Sequence, residues 1–347
     1  MVQKRHITLI PFGVVLLFLI AACDGGGDIS TGAPTTPFIG GSQGLVIGFL
    51  AGSPPSEVTD GDTFPFNVIV KVKNVGEFNL NKKEVNVSLI GISPNDFDVA
   101  SDNIIGKIPE DDPVGRQRDS EGNIIEPVET FIEFPQEVEG DGKTEFNFKG
   151  DVTGNTIFVF RADVCYNYLT NVLSDICVLE NQVDVADDAV CDPSESKRVF
   201  SSASPIGVTA LRQSVVGKDK LQFSFDIVHN GKGAVFKVDE STPYPDCPKD
   251  PSTRRRSENK VNVTVDTGLT TTEPNKLKCV GLKTGSSGAG LSIASGAVIL
   301  VEGKRTITCT QGLEIPRSDF KKNLNINLTF NYLDSVDKEV LVKHLVS

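Results

Sequence analysis

Phe64-Pro65-Phe66-Asn67-Val68-Ile69-Val70-Lys71-Val72-Lys73 alternates, with Phe64, Phe66, Val68, Val70 and Val72 on one face. A period of two places one face in a core and the other in water, which is the mark of a half-buried strand. The same alternation returns in Val85-Asn86-Val87-Ser88-Leu89, in Leu221-Gln222-Phe223-Ser224-Phe225-Asp226-Ile227, in Val261-Asn262-Val263-Thr264-Val265 and in Leu324-Asn325-Ile326-Asn327-Leu328-Thr329-Phe330. Ile157 to Ala162 reads as a buried strand. Turn signals such as Asp60-Gly61, Asp141-Gly142, Asn230-Gly231 and Glu302-Gly303 punctuate these runs. Nowhere does an amphipathic helical pattern persist. Many short strands with regular turns predict an all-β protein built of two tandem immunoglobulin-like β-sandwich domains.

Three segments recur in order. Gly44 to Phe49 matches Ile206 to Leu211; Phe64 to Gly76 matches Leu221 to Gly233; Val85-Asn86-Val87-Ser88 matches Val261-Asn262-Val263-Thr264. The second copy holds a longer insert, Tyr244 to Lys260, with Cys247 and Arg254-Arg255-Arg256. The expected domains are residues 38–190 and 200–347.

At the N-terminus, Lys4, Arg5 and His6 precede an apolar run from Ile7 to Ala22 that ends in Leu19-Ile20-Ala21-Ala22-Cys23. The run is shorter than the roughly 20 residues a transmembrane helix needs, and its flanks fit a signal peptide. Residues 1–22 are therefore read as a leader. Leu19 to Cys23 resembles the lipobox of bacterial and archaeal lipoproteins, and this resemblance implies that Cys23 carries a lipid. Residues 23–37, with Gly25-Gly26-Gly27 and Pro34-Thr35-Thr36-Pro37, have the composition of a flexible tether. The localisation that follows is the cell membrane, facing the extracytoplasmic side, with the membrane itself as a partner through the lipid.

Six further cysteines remain: Cys165, Cys177, Cys191, Cys247, Cys279 and Cys309. An even number in an exported chain reads as disulfides, and none forms a CxxC pair that would suggest zinc. Six cysteines allow 15 pairings. The preferred set is Cys165–Cys177 closing a hairpin, Cys191–Cys247 tying two loops, and Cys279–Cys309 joining two strands.

The strand ending Val72-Lys73-Asn74-Val75-Gly76 resembles the immunoglobulin-like modules of the CARDB adhesion-related type, which recur in archaeal and bacterial surface proteins. The lipobox, tether, Cys165-Tyr166-Asn167-Tyr168 strand and second cysteine-paired β region resemble surface lipoproteins of small-genome archaea. This resemblance implies a fold and a location, with no catalytic residues to transfer.

The chain carries 34 Lys and Arg against 46 Asp and Glu, a net charge of -12. An acidic surface repels nucleic acid, and no nucleic-acid partner is expected. No HExxH, GxSxG, GxGxxG or P-loop is present. His229 and His344, the histidines outside the leader, read as strand or surface residues. Glu110-Asp111-Asp112 and Asp184, Asp187 and Asp188 are the densest acidic groups and read as solvated loops. No catalytic residue, metal ligand or cofactor is assigned. Asn86, Asn262 and Asn327 head N-x-Ser/Thr sequons on polar strand faces, so each is a candidate glycosylation site that should face solvent. The function expected is a non-enzymatic adhesion, envelope-structural or binding role toward other envelope or surface proteins. The alternatives are a solute-binding lipoprotein and, behind it, an acid-pair hydrolase. Recognition is expected in two long loops, Ile108 to Val128 and Tyr244 to Lys260, with the first removable without loss of the fold.

Overall fold

The computed structural model describes residues 36–239, 241–242 and 244–345. The leader, Cys23 and most of the tether lie outside them. The protein is mostly β, with several antiparallel sheets, as its alternating sequence requires. The N-terminal half contributes β1 (Leu45–Phe49), β2 (Glu57–Thr59), β3 (Val68–Asn74), β4 (Val85–Ile90), β5 (Gln117–Arg118), β6 (Ile124–Ile125), β7 (Glu129–Phe134) and β8 (Asn155–Val178). After these come β9 (Phe200–Ser201), β10 (Ile206–Val215), β11 (Lys220–His229) and β12 (Ala234–Phe236). A short helix, α1 (Pro251–Ser257), precedes β13 (Lys260–Asp266), β14 (Lys278–Cys279), β15 (Lys283–Thr284), β16 (Ile293–Ile299), β17 (Lys304–Gly312) and β18 (Phe320–Lys343).

The spine of the molecule is β8 paired with β18. Each has 24 residues, and they run antiparallel without a break from Phe320 opposite Val178 to Lys343 opposite Asn155. At about 3.3 Å per residue the ladder is about 80 Å long. Its inner face carries Phe160, Ala162, Val164, Tyr166, Tyr168, Val172 and Ile176, all at most 3% exposed. The expected hairpin between Cys165 and Cys177 does not exist. Asn167, Asn171 and Asp175, which punctuate the sequence like turn residues, are the outward positions of one unbroken alternation. Phe64, expected on the core face, is 40% exposed, because β3 begins only at Val68.

Two smaller sheets cover this ladder, β1-β3-β7 and β10-β11-β17-β14. Their inward residues, among them Val68, Val70, Ile132, Phe223, Phe225 and Ile307, join the inward residues of β4, β8, β13 and β18 in one hydrophobic cluster. Burying each such side chain contributes roughly 1.5–3 kcal/mol. The repeat seen in the sequence is also one of register. Asn86 pairs with Cys165, and Asn262 pairs with Thr329. Asn167 pairs with Asn331 itself, and its Nδ2 donates to Asn331 Oδ1 over 3.2 Å across a sequence separation of 164. The two copies thus meet at that pair. The N-terminal segment 38–190 and the C-terminal segment 200–347 contribute one long strand each to a shared sheet, and Pro34–Ser347 forms one compact unit.

The disulfides are Cys165–Cys247, Cys177–Cys191 and Cys279–Cys309. The third is as expected, its cysteines directly opposite in the β14–β17 pair. The other two correct the sequence reading. Cys165 and Cys177 lie on one extended strand, about 40 Å apart at about 3.3 Å per residue, so they cannot reach each other.

Candidate binding surface

The outer face of the nine-stranded sheet is where the described structure gathers functional-looking side chains. Adjacent strands β16, β13, β18 and β8 place Ser295, Thr264, Asn327 and Asn171 in one cross-strand row. Beside it runs a second row, Ala297, Asn262, Thr329 and Leu169, and on the other flank a third, Ile293, Asp266, Asn325 and Leu173. These residues are outward because their strand neighbours Val263, Val265, Ile326, Leu328, Thr170 and Val172 fill the core.

Two loops frame this face, each clamped by a disulfide to the outer side of β8. At one end Cys247 bonds Cys165, Asp246 O accepts from Asn331 Nδ2 at 3.1 Å, and Lys249 lies 3.3 Å from Asp163. At the other end Cys191 bonds Cys177, and Glu195 lies 3.9 Å from Lys321. Between them the face is an open trough. Part of it is a groove of about 430 Å³ lined by Lys237, Asp239, Asn262, Thr264, Ser295 and Ala297. Asn262 Nδ2 donates to Val238 O at 3.4 Å, while its enclosed Oδ1 has no partner among the described residues.

The sequons differ in access. Asn327 is exposed, whereas Asn86 and Asn262 are half-buried, short of the full solvent exposure expected. The Ser88 hydroxyl of the first sequon is buried and accepts from Gly106 N at 3.1 Å.

The segment Ile108 to Val128 is not a free loop. Pro113 O accepts from the buried Asn74 side chain, Gly115 N donates to Asn79 Oδ1, and Arg116 N donates to Gly76 O, over 2.9, 3.0 and 2.7 Å. Only the β5–β6 hairpin and its tip stand clear, so removing the whole segment would orphan buried polar groups. Within Tyr244 to Lys260, Arg254 forms a two-pronged pair with Glu258 at 2.8 and 2.6 Å and lies over the Phe236 ring. It is thereby committed to the fold.

Both histidines among the described residues are held by hydrogen-bond partners. His229 Nε2 lies 3.1 Å from the Tyr332 hydroxyl, and burial lowers its pKa. Tyr332 is pushed up to about 12, chiefly by its own burial. His344 Nδ1 lies 2.6 Å from Asp60, whose carboxylate also accepts the Leu345 and Val152 amides. Those bonds, led by the Leu345 amide, hold Asp60 down to about 2. Among the described residues no three His, Cys, Asp or Glu side chains are grouped to hold a metal. A smaller cleft of about 280 Å³ opens where the copies meet, between Tyr166, Tyr332, Pro205, Lys232 and Asp334.

Sequence reasoning found the strands that build the trough but not the trough. The signal was present in Leu324-Asn325-Ile326-Asn327-Leu328-Thr329, where every outward position is an uncharged polar residue. Identifying it required knowing which strands lie side by side.

No protein-family model and no curated protein matches the chain. Among solved structures, the secreted serine protease VesC from Vibrio cholerae aligns over 82% of this chain and 49% of its own, at 9% identity and a TM-score of 0.16. The chain therefore spans about half the length of that protein, and a likeness of this degree carries no argument about fold or activity.

Proposed function

We propose that this chain is a lipid-anchored protein of the extracytoplasmic surface that works by binding and does not catalyse. In this reading Cys23 carries the lipid, residues 23–37 act as the tether, and the body is a fused pair of immunoglobulin-like sandwiches of CARDB type. The observation that carries it is the outer trough: a broad, polar, rigid sheet face framed by two disulfide-clamped loops. Rigid sheets fix side chains in place at little entropic cost on binding. The fastening of the tether end adds support. Ile39 N and Gly40 N both donate to the Glu77 carboxylate at 2.8 Å, and Ala203 N donates to it at 2.6 Å, so a pull on the tether is received by both copies of the repeat.

Solute capture is the weaker reading. The cleft between Tyr166 and Tyr332, at about 280 Å³, falls below the floor of small-molecule sites, roughly 300 Å³.

The test is fractionation and pull-down from native envelopes. The parent should partition with membranes and retain an envelope component; Cys23→Ser should leave the membrane fraction or stall in processing. Membrane retention and normal processing of Cys23→Ser would remove the anchor from this reading.

A further inference from the structure

We infer that Asn327 carries an N-linked glycan and that Asn86 and Asn262 do not; this rests on the export reading above, which brings the chain to a glycan-transferring enzyme. The two long strands repeat each other. Asp163-Val164-Cys165-Tyr166-Asn167-Tyr168 on β8 matches Asn327-Leu328-Thr329-Phe330-Asn331-Tyr332 on β18, at the spacing of 164 residues that separates Asn167 from Asn331. Equivalent positions nevertheless meet different surroundings. On β8 the outward Asp163 and Cys165 are 7% and 8% exposed, because the insert lies over them through Lys249 and Cys247. The first copy runs directly from Gly76 to Val85, where the second has that insert between Gly233 and Val261, so the equivalent place on β18 stays open. Asn327 is exposed there and Thr329 is half-buried. The two residues left uncovered are the acceptor amide and the hydroxyl of a sequon.

The other two sequons are closed by the fold. Ser88 Oγ is buried and accepts from Gly106 N at 3.1 Å. A Cβ on Gly106 would stand 3.9 Å from Asn86 Nδ2, so that segment lies over the Asn86 amide. Asn262 Nδ2 donates to Val238 O at 3.4 Å, and its Oδ1 is enclosed. A sugar on either nitrogen would have to displace the backbone beside it. All three sequons are open while the chain is extended, so the closing of the sheet decides which glycan a folded molecule can keep. A glycan is bulky and hydrated and belongs on a surface. In the transfer, Asn327 Nδ2 bonds to the anomeric carbon of an oligosaccharide carried on a lipid phosphate. The bond from that carbon to the phosphate oxygen breaks, one amide proton goes to solvent, and the lipid phosphate leaves with the electron pair. The sugar then lies over the middle of the trough, and the partner-facing surface is glycan flanked by the two clamped loops.

The test uses mature protein extracted in detergent from the envelope of its own cells. Trypsin releases Asn323 to Lys338 as one peptide, and tandem mass spectrometry reads the mass on each asparagine. In the parent that peptide should carry one saccharide chain on Asn327 in most molecules, with the Asn86 and Asn262 peptides bare. Asn327→Gln and Thr329→Ala should each lose it, Thr329→Ser should keep it, and circular dichroism should be unchanged in all three. A bare Asn327 in the parent, a glycan kept by Thr329→Ala, or a glycan on Asn86 or Asn262 overturns the inference. Where a bare Asn327 is found on a chain processed at Cys23 and held in the envelope, the export reading stands without it. A bare chain that keeps residues 1–22 and stays inside the cell takes both down.

Discussion

Gly76 and Gly231 show how single residues tie the two copies together. A Cβ at Gly76 would overlap the Tyr168 hydroxyl, and one at Gly231 would overlap that of Tyr332. In the first copy Tyr168 Oη donates to Asn74 Oδ1 at 3.0 Å, and Asn74 Nδ2 reaches Phe78 O and Pro113 O. In the second, Gly233 N donates to Tyr332 Oη at 2.8 Å. Glycine is thus required at both turns by a tyrosine rising from the long ladder beneath. Gly76→Ala should destabilise by about 1–3 kcal/mol, the cost of overpacking a filled site. Tyr168→Phe should cost about 1 kcal/mol through its lost hydrogen bond. Because Phe removes the nearest atom the new methyl would meet, leaving the Ala203 carbonyl at 2.8 Å, the double variant should be less destabilised than the sum, as urea titration of all three would show. Simple additivity would mean that the overlap is not what fixes glycine there. The Val72 to Gly76 pattern was legible in the sequence, but its reason was not, because the tyrosine belongs to a strand far along the chain.

At the scale of elements, alternation revealed the strands and hid their length. Ile157 to Ala162 and Cys165 to Tyr168 were both legible as extended segments, yet a hairpin was expected between Cys165 and Cys177, where the strand runs on through Asn167, Asn171 and Asp175. Polar residues at every second position are what an exposed face demands, so only the pairing partner distinguishes a turn from a long strand. The same misreading produced the wrong disulfide pairs. The correct ones lead to a prediction about the insert between β12 and β13. Cys165–Cys247 spans 82 residues and pins this insert to the outer face. Replacing both cysteines with serine should cost about 2–5 kcal/mol. It should also free the segment around Cys247 while α1 keeps its Arg254–Glu258 pair and its packing on Phe236. Limited trypsin digestion should then cut first at Lys249, before the Arg254 to Arg256 run. Cutting patterns unchanged from the parent would show that the loop is held by its noncovalent contacts alone.

For the whole molecule, the central issue is that its two copies were legible as domains and are built as one sheet. Tandem domains usually meet through a linker crossed by few contacts. Here β8 gives its first half to β4 and its second half to β9, while β18 gives its first half to β13 and its end to β2. The inward residues of both copies form one cluster. Neither copy can unfold without stripping the other's long strand of its partner along its full length, about 80 Å of paired strand at about 3.3 Å per residue. Unfolding should therefore be a single cooperative transition despite the size of the chain, with the calorimetric and van't Hoff enthalpies equal. A chain cut back to residues 36–190 should fail to fold alone, because it would bare the β18-facing edge of β8 along its full length. Differential scanning calorimetry of the full chain and circular dichroism of the fragment together decide the matter. Two resolved thermal transitions, or a fragment with native strand content and a sharp melt, would mean that the copies are independent domains that happen to touch along one edge.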